Sequence, residues 1–301
     1  MPLWIPITIA AAFLQNLRST WQKQLTGDLS ATAATYVRFA FGLPVAVVYL
    51  WGLHTLGGFA LPSPNTMFLI YCVIGGVTQI LGTFLLVALF AYRNFAVGTT
   101  YSKTETVQAA LFGIIVLGDH PSLGAVAAIL VSFAGVVAIS MAKSHLTMMN
   151  FVRSLTDRPT LMGLGTGAGF GVSAVCYRAA SLSLEADGFL ISASYTLVVV
   201  LLIQTVLMGL WLAWREPQQL LKTAKTWKVS SLVGISGAMA SMGWFTAMTI
   251  ENAAYVRALG QIELLFTFAS SRFLFKEKTE PLELVGIALV IGGLLLLLFL
   301  R

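Results

Sequence analysis

Charged residues are scarce in this sequence. They make up 10% of 301 residues, where a soluble domain carries roughly 25%. With 57% hydrophobic residues and a mean hydropathy of +0.86, a water-soluble fold of this size is excluded. Catalytic and metal-binding patterns are missing as well. The three histidines, His54, His120 and His145, fall in connections or at the ends of apolar runs. None makes an H-E-x-x-H, and no Ser/His/Asp grouping is visible. Without G-x-x-x-x-G-K-S/T, the chain offers no site for ATP. Cys72 and Cys176 both fall inside apolar runs, which suits packing and neither a disulfide framework nor a metal motif. The reading is therefore of no enzyme, no cofactor and no metal.

What the sequence has in abundance is apolar runs of about 20 residues, each long enough to cross a hydrocarbon core of roughly 30 Å. Only helices or closed barrels satisfy the backbone in lipid. The continuously apolar stretch at 287–299 lacks the alternation of a barrel strand. The expected fold is all-α and integral to the membrane. Ten transmembrane helices can be drawn, at about 3–22, 30–53, 65–91, 95–118, 121–142, 160–183, 187–214, 229–250, 253–275 and 280–300. The first is read as a retained helix, since it has no basic leader or cleavage site. Short connections, several marked by Gly27, Pro62, Pro64, Gly118, Pro121 and Pro281, imply antiparallel neighbours. The longest, 143–159, separates residues 1–142 from 160–301, and its 146–155 stretch is amphipathic enough to lie on the membrane surface.

The two halves are weakly alike. At an offset of 158, Asn94 meets Asn252, Glu105 meets Glu263, Asp119 meets Glu277 and Gly135 meets Gly293. One constant offset argues for duplication. An odd number of spans per half makes the second five-helix repeat run inverted, a plan common in secondary transporters. Of the eighteen Lys and Arg residues, eleven fall in odd-numbered connections and only Arg301 in the even ones or at a terminus. Cytoplasmic loops collect such residues, so the odd connections are expected in the cytoplasm and both termini outside. The net charge of +6 reports topology here and not nucleic-acid binding.

Charges within the spans cost about 2.5–3.5 kcal/mol each on insertion scales and so mark function or pairing. Glu105 and Glu263 each lie ten residues into a span, near the midplane. Lys103, two residues before Glu105, points about 200° away on the same helix. Arg18, Arg38, Arg178, Arg257 and Arg272 also fall within spans; Arg38 and Arg272 could snorkel to an interface. The candidate substrate-binding residues are Gln15, Asn16, Gln79, Tyr101, Lys103, Glu105, Arg178, Trp244, Arg257, Gln261 and Glu263. Glu263 has no near basic neighbour in sequence, which makes it the candidate for proton coupling, while Glu105 is expected to stay ionised beside Lys103 or an arginine. Glycines crowd spans three, six and eight, where they serve packing or bending.

Two segments carry a wider resemblance: 105–119 (ETVQAALFGIIVLGD) and 263–277 (ELLFTFASSRFLFKE). Each runs from a mid-helix acid to a second acid before a glycine-containing last span. This resembles the EamA family of the drug/metabolite transporter superfamily. The family often has Pro after the first acid and Gly-Glu at the end; Thr106 and Leu264 replace that Pro, and Asp119 replaces the first Glu. The resemblance implies a multi-pass carrier of small metabolites in the plasma (inner) membrane, often an exporter of amino acids or related compounds. It implies a central cavity lined by spans one, three, four, six, eight and nine. Its partners would be a small-molecule substrate and membrane lipid, with no nucleic acid, in a monomer or weak homo-oligomer. Termini in such carriers are often cytoplasmic, opposite to the charge count. A lipid flippase or scramblase is the alternative.

Overall fold

A computed structural model describes residues 2–89, 100–144, 156–266, 268 and 280–300. Among these residues the regular structure is entirely helical. The elements are α1 (Trp4–Leu25), α2 (Ala31–Ala40), α3 (Leu43–Thr55), α4 (Thr66–Leu89), α5 (Glu105–Leu117), α6 (Leu123–Ser144), α7 (Arg158–Ser183), α8 (Phe189–Arg215), α9 (Pro217–Lys225), α10 (Trp227–Ile250), α11 (Ala253–Gly260) and α12 (Pro281–Leu300). Six stretches among the described residues are long and apolar enough to cross a membrane: α4, α6, α8, α10, α12 and the run α2–α3. The chain is a multi-pass membrane protein. Helices α1 and α7 are equally long but carry too many polar and glycine residues to meet that measure, and both face the interior cavity described below.

The second expected span is broken. Pro44 enters the first turn of α3, where it has no N–H to give to the carbonyl of Ala40. The chain turns at Phe41 and Gly42, and α10 crosses tightly at that point: a Cβ on Gly234 would lie 2.4 Å from the Cβ of Phe41. A second difference lies between α8 and α10, where α9 forms a separate short helix. Its Lys222 and Lys225, with nearby Trp214 and Trp227, suit a membrane interface. Arg215 covers the ring of Trp214 at 4.1 Å. The sequence reading placed a surface helix at 146–155, which lies outside the described residues. So do parts of the expected fourth and ninth spans.

Packing pairs elements across the halves. α4 packs on α7, α1 on α10, and α6 on α12. Close approaches show the direction of each pair. Gly75 meets Tyr177 and Gly82 meets Phe170, so α4 and α7 run antiparallel. Gly243 meets Ala11 and Gly237 meets Arg18, so α1 and α10 do too. Gly124 meets Leu300 and Gly135 meets Gly286, giving the same sense for α6 and α12. The α4–α7 and α1–α10 seams correspond to each other at the offset of 158 and the α6–α12 seam corresponds to itself, as a duplicated chain requires. Small residues permit these approaches because lipid tails supply no hydrophobic drive between helices, and van der Waals contact must do so.

Connections expected on one side of the membrane are tied together. Ser30 donates to Glu216 at 2.5 Å and its backbone N–H donates to Gln219 at 3.2 Å. Toward the opposite end, Asn65 donates to the carbonyl of Ser183 at 2.6 Å, and Ser122 to that of Leu300 at 2.8 Å. Large apolar side chains such as Trp51, Ile115, Leu210 and Phe299 are exposed, as a lipid-facing surface demands.

The α6–α12 seam yields a stability prediction. A Cβ on Gly135 would sit 2.6 Å from the Gly286 carbonyl oxygen and 2.7 Å from the Val290 nitrogen, both rigid backbone, whereas Gly292 has open space. Gly135→Ala should destabilise the protein by about 1–3 kcal/mol, the usual cost of overpacking. Gly292→Ala should be neutral or slightly stabilising, since alanine favours helix by roughly 0.8–1 kcal/mol over glycine. Thermal unfolding of the two variants in the same detergent checks the difference.

Candidate functional site

The site is built on two matching irregularities. Before Glu105 the chain tightens into a turn in which Lys103 N–H donates to the Thr100 carbonyl and Thr104 N–H to that of Tyr101, both at 3.1 Å. Before Glu263, Gln261 N–H donates to Ala258 at 3.1 Å and Ile262 N–H to Leu259 at 3.0 Å. These are the same bonds at the offset of 158. Each tight turn follows helical residues and delivers an acid at the start of the helical segment that comes next. Interrupted helices of this kind are tolerated at membrane depth only where protein or water covers them.

The acids are held crosswise. Lys103 of the first half donates to Glu263 of the second in a short ion pair. Arg257 of the second half lies 3.0 Å from Glu105 of the first. Gln15 on α1 adds a hydrogen bond to the other oxygen of Glu263, at 3.2 Å. Glu105 is expected beside Lys103 or an arginine, and its partner is Arg257. For Glu263 the structure adds a base that distance along the chain did not show, Lys103 across the cavity. Arg257 also stacks over Trp244, 4.9 Å from the ring centre, and that ring presses on Gly260, where a Cβ would come within 2.4 Å.

Around these pairs lies a cavity of about 230 Å³, a little below the range of roughly 300–1,000 Å³ usual for ligand pockets. Gln15, Gln79, Lys103, Glu105, Trp244, Arg257, Gln261 and Glu263 all line it. Three sequence candidates are not in its wall. Asn16 and Tyr101 lie beside it without lining it. Arg178 reaches away, donating to the carbonyls of Met248, at 2.6 Å, and Glu251 at the end of α10, where a cation suits the exposed carbonyls. Gln261 donates to Thr106 at 2.9 Å, which ties the second break to the helix after the first.

Other lining residues were not singled out as binding candidates: Arg18, Arg38, Ser241 and Tyr177 among them. For the arginines the available signal was a charge within an apolar span. For Tyr177 there was none, because its role depends on partners far away in sequence. Its hydroxyl donates to Gly75 O at 2.9 Å and lies 3.0 Å from Gln79 Oε1. Gln204, wholly buried, donates to the same Oε1 at 2.8 Å and to Gly76 O at 3.2 Å. This network pins α4, α7 and α8 behind the cavity. The ring of Tyr177 stacks on Phe245 at 4.4 Å.

If the crossed pairs act as units, neutralising both partners should hurt less than neutralising one. Lys103→Gln and Glu263→Gln should each destabilise the protein, and the double variant should recover part of the loss, with a coupling of about 1–3 kcal/mol. Additive losses in thermal unfolding would show that the pair contributes no coupling.

The EamA-like transporter family model matches residues 2–141 and again 159–299. No curated protein sequence matches. A solved protein crystal structure superposes with a TM-score of 0.73 over 99% of this chain and 97% of its own, at 17% identity, which speaks to the fold alone.

Proposed function

Because the chain belongs to the EamA-like transporter family, we propose that it is a ten-span secondary carrier. Its cargo is a small polar or zwitterionic metabolite, an amino acid or related compound, and the favoured direction is export by alternating access. The domain plan is two inverted repeats, 1–142 and 160–301, joined by 143–159. The observation that carries this reading is the cavity where the two interrupted helices meet, lined by both signs of charge. The Lys103–Glu263 and Arg257–Glu105 pairs join the repeats, so one repeat can rock against the other only if they rearrange. A zwitterion offers a replacement partner to each sign.

The cavity wall draws on α1, α2, α4, α5, α7, α10 and α11. A cavity shared by helices of both halves supports a carrier over a lipid flippase, which needs a groove open sideways. Proteoliposomes loaded with single amino acids should show counterflow for at least one of them. Transport confined to another class of compound would overturn the amino-acid assignment, and lipid scrambling without solute uptake would favour the flippase.

Proton coupling through Glu263 now has a different footing. With Lys103 and Gln15 on its carboxylate, the acid can take a proton only when that contact opens between states. Glu263→Gln is expected to flatten the pH profile of transport while the protein stays folded. An unchanged profile would point to uniport or exchange.

The charge count and the family analogy disagree on orientation, and we retain the charge count in the plasma (inner) membrane. A reporter fused after Arg301 should read extracytoplasmic, and a cysteine in 143–159 should resist an impermeant reagent added outside. The reverse pattern would place both termini in the cytoplasm.

A further inference from the structure

Two arginines in the cavity wall remain once the crossed pairs are formed. Arg18 on α1 and Arg38 on α2 are 5% and 7% exposed. They lie side by side across one glycine of α10: a Cβ on Gly237 would come 3.2 Å from Arg18 Cδ and 3.5 Å from Arg38 Cγ. Arg18 donates to Ser19 at 3.1 Å and leaves its Nε without a partner. Arg38 donates to Thr83 at 3.3 Å and sits 5.4 Å from the ring centre of Phe39. Among the described residues neither guanidinium has a carboxylate within ion-pair distance, and the two cavity acids, Glu105 and Glu263, are each paired with another cation, Arg257 and Lys103. The wall therefore carries four cations against two carboxylates.

Two like charges buried together at membrane depth, hydrogen-bonded to hydroxyls and sharing two carboxylates that are each already paired with another cation, are unfavourable unless an anion completes the site. Both guanidiniums border the cavity, and a guanidinium is a planar fork fitted to carboxylate and phosphate oxygens. We propose that Arg18 and Arg38 form an anion-binding pair and that the cargo is a small organic anion with net negative charge, bearing a carboxylate or a phosphate. The inference rests on the carrier reading and narrows it, so that among amino-acid-like compounds the acidic ones are taken. The crossed pairs still join the two halves and rearrange during transport, and Arg18 and Arg38 hold the anionic group of the cargo.

The test is a thermal-unfolding panel on purified wild-type protein in nanodiscs at fixed ionic strength, with glutamate, succinate, glycerol phosphate, inorganic phosphate, alanine and lysine as probes. A ligand that binds only the folded state raises the midpoint with concentration. At least one anion should do so, and alanine and lysine should not. Comparing succinate with the two phosphates separates carboxylate from phosphate recognition. Arg18→Gln and Arg38→Gln should each weaken the effective anion by about 10- to 100-fold, the range for losing a hydrogen bond to a charged group. Arg38→Lys should restore part of it. Should the variants misfold, the wild-type panel still decides. Stabilisation by alanine or lysine with no response to any anion overturns the anion site and leaves the carrier reading standing. An anion that binds but is not taken up by proteoliposomes keeps the site and removes the carrier reading. No response to any compound overturns the anion site.

Discussion

Every charge placed at membrane depth must find a partner, and in this protein that requirement joins the two halves. Neither half completes its own pairing. Glu105 takes a cation from the second half, and Glu263 takes one from the first. The reason is geometric. Lys103 and Glu105 are neighbours on one strand of chain but point to different sides, as do Arg257 and Glu263, so each acid is open to the facing helix and not to its own neighbour. The interior of the molecule is organised around these crossed contacts.

The surrounding scaffold makes the crossing possible. Two tight turns with the same hydrogen-bond pattern present the acids toward each other. The antiparallel seams α1–α10 and α4–α7 bring the walls close because glycines stand where backbone meets side chain. At the cavity wall the Gln79–Tyr177–Gln204 network pairs polar groups that lipid could not satisfy. The least apolar long helices, α1 and α7, are the ones that turn polar groups inward, while the exposed faces of α4, α8 and α12 are given over to leucine, isoleucine, valine and phenylalanine.

The contents of the cavity define a division of labour between charges. Four are neutralised in pairs that link the halves. Two arginines remain, stacked against Gly237, in a space small enough that only a compact molecule could meet them. On the anion-site proposal, selectivity would come from what is left uncompensated more than from what is paired, since a paired charge has little to gain from a ligand.

Much of this was legible along the chain. Apolar run length determined that the protein crosses the membrane, because the hydrocarbon core sets a minimum span. The offset of 158 revealed the duplication, since matching depths in two halves demand matching residues. Glu105, Glu263, Lys103 and Arg257 stood out because ionised groups in apolar runs are costly without a purpose. The tertiary structure decided the rest. It decided which acid meets which base, that Arg178 caps the end of α10 and does not line the cavity, and that Pro44 breaks the second span. It also decided that Arg18 and Arg38 lie together. Pairing between residues some 160 positions apart depends on how helices pack and rotate, and helix packing is set by the close fit of small residues on several elements at once, a three-dimensional condition that no single stretch of sequence contains.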